Sequence, residues 1–247
     1  MQNIILHIPH SSRNIPNYDG YVVDRETLVN EINTLTDWFT EELFDLPFQK
    51  IVTPFSRIFC DVERFEDDSV EVMAKYGMGM CYTHLDNGQI MRNTTPVLRK
   101  KIKMDYYNKH HALLEKGTTE TLSKNNKVII TDCHSFPDLP LNRDLIKETP
   151  RPDFCIGTDD FHTPGRLVNS LLESISKQGY TVKINNPYSG TIIPQKYFQK
   201  DKRVQGIMIE VNRKLYMDTA YSGIIRNENF DNIKTLIKKL VLELNCI

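Results

Sequence analysis

The sequence of 247 residues lacks long hydrophobic runs, since its apolar stretches extend over only a few residues. A membrane-spanning helix needs about 20 consecutive, mostly apolar residues, so we expect no membrane span. The sequence also lacks an excess of basic charge, because 31 Lys and Arg stand against 32 Asp and Glu for a formal net charge of -1. Nucleic-acid-binding proteins usually show a basic excess, so we expect no nucleic-acid partner.

Cysteine is scarce and has no paired spacing. The five cysteines are scattered without a CxxC pair. This usage is typical of reduced cytoplasmic thiols and excludes a zinc knuckle built from cysteine. The opening MQNIILHIPHSS contains neither a basic leader nor a long apolar segment, so we predict no signal peptide and a cytoplasmic location. The absence of GxSxG, GxGxxG and Walker motifs disfavours a serine hydrolase of the nucleophile-elbow type and a nucleotide-binding protein.

Short apolar runs alternate with amphipathic segments along the whole chain. The predicted strands cover residues 3–8, 50–53, 57–61, 127–131, 154–157, 180–184 and 206–211, and the predicted helices cover 24–46, 96–116, 164–177 and 229–244. This alternation predicts an α/β protein with a mostly parallel sheet and helices on both faces. Because no linker or composition change divides the chain, we expect one domain over residues 1–247.

Polar residues recur at the carboxyl ends of the predicted strands, where α/β sheets bind their ligands. His10 and His134 each follow a strand, and Asp37 lies on the helix after the first strand. Two imidazoles and a carboxylate are the ligands of a three-ligand zinc site. The alternative is that each histidine is a hydrogen-bonded turn or core residue.

Glu210 interrupts a strand that should be buried, in the sequence IMIEVNR. A buried carboxylate either has a raised pKa, as a general base for water needs, or forms a structural ion pair, here with Arg213. Together with Arg213, Arg57 and Arg64 could bind an acidic substrate through their guanidinium groups, or they could be surface and ion-pair residues. His110 and His111 point about 100° apart on a helix, so they cannot both bind one ion.

Eight segments of the sequence resemble the N-formylglutamate amidohydrolase (N-formylglutamate deformylase) family. They stand in the same order as in that family. They are PHSSRNIP (9–16), TDWFTEELF (36–44), SRIFCDVERF (56–65), GMGMCYT (77–83), DCHSFP (132–137), IGT (156–158), NNPYSGTIIP (185–194) and MIEVNRKLYMD (208–218). The resemblance covers nearly the whole chain. It implies a phosphorylase/hydrolase-like three-layer fold with a mixed, twisted sheet, shared with zinc carboxypeptidases and zinc-dependent peptidoglycan amidases.

The resemblance also implies one zinc ion per chain, or another divalent metal, and a role for each site residue. His10 and His134 are the expected histidine ligands and Glu210 the general base. The acidic ligand is expected at Asp37, as in the amidases, because the carboxypeptidase position within residues 11–16 contains no acid. Asp132 is the expected hydrogen-bond partner of His134. In DVERF, Glu63 stands where many members carry Asn.

The implied reaction is cleavage of N-formyl-L-glutamate to formate and L-glutamate, an activity that belongs to histidine degradation. The expected substrate contacts are Arg57, Arg64, Tyr82, Asn185, Tyr188, Ser189 and Arg213. Two alternatives stay open: a zinc amidase for another N-acyl amino acid or peptide-like amide, and a non-catalytic relative that binds a metal or ligand. The sequence leaves the oligomeric state open.

Overall fold

The computed structural model describes residues 3–220 and 223–247, and its centre is a six-stranded sheet. The strands are β1 (Ile4–Ile8), β2 (Gln49–Val52), β3 (Val128–Phe136), β4 (Phe154–Gly157), β5 (Val182–Ile184) and β6 (Val204–Asn212), in the spatial order β2-β1-β3-β6-β4-β5. The first four in that order are parallel, whereas β4 runs antiparallel to β6 and β5 runs parallel to β4. The predicted mostly parallel, mixed sheet is confirmed.

The helices lie on both faces of this sheet. They are α1 (Arg25–Leu35), α2 (Thr40–Leu43), α3 (Pro96–Ile102), α4 (Asn108–Asn125), α5 (Gly165–Lys177) and α6 (Phe230–Cys246). In β1, Ile4 and Leu6 pack with α5 and α6, whereas Ile5 belongs to the core on the α4 side. Successive strand side chains point to opposite faces, which explains why β1 is apolar at nearly every position. Within the described residues, no helix is long and apolar enough to cross a membrane.

The predicted helix over 24–46 is wrong, because two helices and a turn occupy this segment. Asp24 caps α1 by accepting from the Thr27 amide, and α1 ends where the Thr36 hydroxyl donates to the Ile32 carbonyl. Phe39 then adopts a left-handed backbone with φ of 61° before α2 begins. Asp37 therefore lies in the turn between the two helices, and its amide donates to the His10 carbonyl over 3.0 Å.

Three other elements differ from the prediction. Residues 57–61 form turns rather than a strand, since the amides of Phe59 and Cys60 both donate to the Ser56 carbonyl. The helix expected at 96–116 divides into α3 and α4, joined by a π-helical segment at Lys103–Tyr107, and continues to Asn125. A separate hairpin, β7 (Met217–Ala220) with β8 (Gly223–Arg226), was not predicted.

Candidate active site

The carboxyl ends of β1, β3 and β6 bring together the predicted histidine ligands and the predicted general base. His10 lies two residues beyond β1, whereas His134 lies inside β3 and not after it, because β3 is five residues longer at its carboxyl end than the strand predicted at 127–131. In the parallel pairing of β3 with β6, His134 is the direct register partner of Glu210. These three side chains are almost completely buried at one edge of the sheet.

Three acceptor-type atoms converge at the centre of this site. His10 Nδ1 lies 3.3 Å from His134 Nδ1, and Asp37 Oδ2 lies 3.1 Å from His134 Nδ1 and 3.8 Å from His10 Nδ1. Ligands about 2.0–2.1 Å from a tetrahedral zinc ion are about 3.3–3.4 Å apart. The three separations are therefore close to those that a zinc site needs.

The opposite ring nitrogens of both histidines contact carboxylates. His10 Nε2 lies 2.9 Å from Asp61 Oδ1, and His134 Nε2 lies 3.1 Å from Asp132 Oδ1. Since an ionised carboxylate only accepts hydrogen bonds, each Nε2 carries a proton and donates it. In the neutral imidazoles that bind a metal each Nδ1 is then bare, so the two Nδ1 lone pairs face each other and Asp37. This donor set is suited to a cation, and carboxylates that bond to the far nitrogen are typical of metal-binding histidines.

Glu63 offers a second carboxylate to the same histidines. Its Oε1 lies 3.2 Å from His134 Nε2, and its Oε2 lies 3.6 Å from His10 Nε2. His10, Glu63 and His134 are close enough to hold a metal ion, and so are His7, Glu63 and Asp132. However, the Nε2 atoms that face Glu63 also lie against the buried carboxylates of Asp61 and Asp132, at 2.9 and 3.1 Å. The proton arrangement therefore favours the Nδ1 side, where Asp37 lies.

Asp37 is held in one orientation by Arg213 and by the backbone. Arg213 Nη2 donates to Asp37 Oδ1 over 3.0 Å, and the Ser135 amide donates to Asp37 Oδ2 over 3.2 Å. Burial opposes ionisation, but the neighbouring His10 and His134 and the charge of Arg213 hold the pKa of Asp37 well below its ordinary value. Asp37 is therefore an ionised carboxylate with Oδ2 directed at the two histidines.

Glu210 has the properties of a group that exchanges protons near neutral pH. Burial raises its pKa from 4.5 to about 7, against the opposing charge of His134. Its Oε2 is buried and has no hydrogen-bond partner among the described residues. The expected alternative, a structural ion pair with Arg213, is not formed, because Arg213 bonds to Asp37 and Ser135 instead.

We predict that Glu210→Gln stabilises the metal-free protein above pH 7. Between about pH 4.5 and 7 the folded protein binds a proton that the unfolded chain has released, so the stability of the wild type falls as the pH rises. Since each pKa unit corresponds to about 1.4 kcal/mol, a rise from 4.5 to about 7 limits the gain to about 3 kcal/mol. Urea unfolding from pH 4.5 to 8 should show no gain at the acidic end and a plateau above pH 7. A constant difference across this range would contradict it.

A cavity of about 240 Å³ opens in front of these groups. Nine of the predicted site residues line it, namely His10, Asp37, Arg57, Arg64, His134, Tyr188, Ser189, Glu210 and Arg213. The expected substrate contacts of Tyr82 and Asn185 need correction. Tyr82 is fully buried and donates to Asp61 Oδ2 over 2.7 Å, and Asn185 bonds to Thr158 outside the cavity. Tyr82 therefore supports Asp61, and Asn185 supports its own loop.

The three arginines of the cavity differ in how many of their donors are already used. Arg213 makes four hydrogen bonds, to Ser135 Oγ, Thr34 O, Asp37 Oδ1 and Ser135 O. Arg57 directs Nε and Nη2 at Asp61 Oδ2 over 3.2 and 2.9 Å. The Arg64 Nε is buried and makes no hydrogen bond within the described part of the chain, although it lies 3.6 Å from Asp61 Oδ2, and Nη1 lies 3.9 Å from Glu71 Oε1. Arg64 is thus the arginine with the most donors left for a ligand.

No role for Asp61 follows from the sequence, in which Glu63 stands out only as a departure from the family. Both follow a segment that forms turns, so strand periodicity could not show which side chains face inward. Asp61 is fully buried between two arginines, and the pattern R-x-x-x-D-x-x-R was the available signal. A single buried acid that meets Arg57, Arg64 and His10 orients the first histidine of the site.

Comparison with known proteins gives one family. A model described as "N-formylglutamate amidohydrolase" matches residues 2–217 of the chain. A curated relative, the N-formylglutamate deformylase of Pseudomonas aeruginosa, is 20% identical over 249 residues, which cover 96% of this chain and 91% of the relative.

Two solved structures share the fold. A crystal structure of N-formylglutamate amidohydrolase from Ralstonia eutropha JMP134 aligns with a TM-score of 0.83 at 24% identity, covering 99% of this chain and 93% of the other. A gene product of Agrobacterium tumefaciens aligns with a TM-score of 0.66 at 17% identity, covering 98% of this chain and 92% of the other.

Proposed function

The chain belongs to the N-formylglutamate amidohydrolase family, and from this premise we propose that it is a zinc-dependent enzyme that hydrolyses N-formyl-L-glutamate to formate and L-glutamate. The observation that carries the proposal is the convergence of His10 Nδ1, His134 Nδ1 and Asp37 Oδ2 beside Glu210. The name of the Pseudomonas aeruginosa relative supports the substrate.

We propose that His10, Asp37 and His134 hold the metal ion. The chemistry that a zinc ion bound there would supply is Lewis acidity toward the amide carbonyl and a lower pKa of water, toward about 7. Asp61 and Asp132 keep the protons of His10 and His134 on Nε2, which leaves both Nδ1 atoms free to bind. Arg213 orients Asp37 and partly offsets its charge.

Glu210 moves the protons of the reaction. Its ionised carboxylate accepts a proton from the attacking water, and the carboxylic acid then donates that proton to the departing amine nitrogen. The pKa of about 7 suits both steps, because a group near the operating pH gives and takes protons with similar ease. The Glu210 Oε2 is available for this proton exchange, since none of the described residues forms a hydrogen bond with it.

The acidic part of the substrate is bound by Arg64 and Arg57, and Tyr188 and Ser189 are further residues of the cavity lining. Arg64 has free donors, whereas Arg57 is bonded to Asp61 on one side only. A planar guanidinium binds a carboxylate through two parallel hydrogen bonds.

We predict that Arg64→Gln raises KM for N-formylglutamate about 10- to 100-fold and changes kcat little, because a lost charged hydrogen bond costs about 1.5–3 kcal/mol. Arg99→Gln is the matched control, since both arginine side chains are 23% exposed but Arg99 bonds to Asp68 outside the cavity. Steady-state kinetics checks both variants. An unchanged KM in Arg64→Gln would remove this arginine from the substrate site.

A second candidate substrate is an N-acyl amino acid with a single carboxylate. It is favoured by the occupied donors of Arg213 and by the additional acid Glu63 in the cavity wall, which together reduce the positive charge available to a dianion. A panel of N-formyl derivatives of glutamate, glutamine and alanine separates the two candidates. Higher kcat/KM for the monoanions would replace N-formylglutamate as the substrate.

The experiment that tests the proposed function is formate release from N-formylglutamate by the protein before and after chelation and again after zinc is returned. We expect turnover that chelation removes and zinc restores. Turnover that survives exhaustive chelation would overturn the metal dependence, and no formate under any condition would overturn the activity.

We propose that residues 1–247 form a single amidohydrolase domain, related in fold to the zinc carboxypeptidases. The location in the cytoplasm and the place in histidine degradation stay predictions.

A further inference from the structure

A chain of buried polar side chains extends from the site into the interior, and the proposed reaction does not use it. His7 Nδ1 lies 2.7 Å from Asp132 Oδ1, and His7 Nε2 lies 2.8 Å from His110 Nε2. His110 Nδ1 lies 3.2 Å from Thr53 Oγ1. These four residues are buried, and His7 and Thr53 are completely so. Every ring nitrogen of the two histidines thus has a partner.

The position of His7 makes this series of hydrogen-bonded side chains costly in free energy. It is the polar residue of β1, whose sequence is otherwise the apolar IIL-I. A buried polar group costs free energy unless it is hydrogen-bonded, whereas leucine would fill the position with no polar atom to desolvate. Its two short contacts offset the desolvation of the histidine, and one of them is made with Asp132, which contacts His134.

The protons of these side chains can be arranged so that every hydrogen bond is donated in the same direction, from Thr53 toward Asp132. The Asp132 carboxylate accepts from the Ile192 amide and lies 2.7 Å from His7 Nδ1, so the hydrogen bond between them is donated by His7. His7 must therefore carry its proton on Nδ1, and its bare Nε2 accepts from His110. Burial and the neighbouring His7 lower the pKa of His110 to about 2, so His110 is neutral. Its Nδ1 then accepts from the Thr53 hydroxyl.

This arrangement acts on the site through Asp132. Its Oδ1 accepts from His7 Nδ1 and lies in ion-pair contact with His134 Nε2 at 3.1 Å, and its Oδ2 accepts from the Ile192 amide over 3.1 Å. The His7 donor keeps the carboxylate turned so that Oδ1 faces His134. A carboxylate in that place keeps the His134 proton on Nε2 and the Nδ1 lone pair directed toward His10 and Asp37.

We propose that His7 is a positioning residue of the metal site, and that His110 holds it in the tautomer that donates to Asp132. The inference rests on the proposed metal ligands. It assigns to β1 two contributions to the site, the ligand His10 at its end and the orienting His7 within it.

The test compares His7→Asn with His7→Leu. The asparagine amide can take the place of Nδ1 and donate to Asp132, whereas leucine has a similar volume and no donor. We expect zinc affinity, measured by competition with a chromophoric chelator, to fall about 10- to 100-fold in His7→Leu, as is typical for loss of an outer-shell partner. His7→Asn should retain most of the affinity.

His162→Leu is the control for loss of a buried histidine. His162 is fully buried and bonds to the Val204 carbonyl and the Gln199 amide, outside the site. We expect this variant to lose thermal stability and keep its zinc affinity. Equal losses of affinity in His7→Asn and His7→Leu, or no loss in His7→Leu, would overturn the positioning role.

A measurement on the wild type covers the case in which His7→Leu does not fold. Long-range 1H–15N correlation spectra of the metal-free protein should show His7 protonated at Nδ1. A His7 protonated at Nε2 would overturn the inference. Failure to hydrolyse N-formylglutamate, or to bind zinc at all, would overturn the proposed function instead and leave this tautomer readout decisive.

Discussion

Glu210→Gln should lower kcat about 10²- to 10⁴-fold while the protein keeps its zinc, because the amide cannot accept the proton of the attacking water. The three converging atoms belong to His10, Asp37 and His134. Glu210 supplies none of them, so its substitution leaves that donor set intact. Steady-state formate release and metal analysis of the same preparation test the two parts together. A variant with the full rate would remove the assignment of the general base.

Glu31→Gln is the matched control for this variant. Glu31 is buried to the same degree as Glu210, at 7% exposure, and burial raises its pKa as well. It lies on α1 and pairs with Arg143 outside the cavity. We expect Glu31→Gln to lose stability and keep kcat. Zinc lost in parallel with activity in Glu210→Gln would instead identify Glu210 as a ligand.

The fold was predictable where side-chain pattern and burial coincide. The strand around Ile4–Ile8 and the strand of GIMIEV appear within a few residues of their predicted bounds, because continuous apolar runs mark strands that are covered on both faces. Residues 24–46 were misread because an apolar helical pattern continues through the turn at Asp37. The break depends on the His10 carbonyl, which meets the Asp37 amide only in the folded protein.

The candidate site, like the fold, was predictable only in part. His10, His134 and Glu210 were found because polar residues at strand ends of an apolar sheet are conspicuous, and the structure brings them to one edge. The roles of the arginines were not predictable in the same way. Whether Arg213 binds a ligand or holds Asp37 depends on contacts with Ser135 and Thr34, which lie far apart in the chain. The role of His7 was not predictable for the same reason, since both of its partners come from other elements.

Asp37→Asn should lower zinc affinity by more than the 10- to 100-fold typical of an outer-shell partner and abolish hydrolysis with it. The substitution removes the negative charge from the oxygen that lies 3.1 Å from His134 Nδ1, yet the amide oxygen can still accept from the Ser135 amide. Arg213 loses a buried ionic partner, and breaking such a pair costs about 3–5 kcal/mol, so zinc affinity must be measured at a temperature where the variant is folded.

Glu63→Gln is the comparison that decides between the two acids near the histidines. Glu63 approaches the Nε2 atoms, which also lie against the buried carboxylates of Asp61 and Asp132, so its charge should matter for zinc far less than that of Asp37. We expect Glu63→Gln to keep its metal, and to bind acidic substrates more tightly because one negative charge leaves the cavity wall. If Glu63→Gln loses zinc and Asp37→Asn retains it, the ion is held on the Nε2 side of the histidines. The proton arrangement drawn from Asp61 and Asp132 is then reversed.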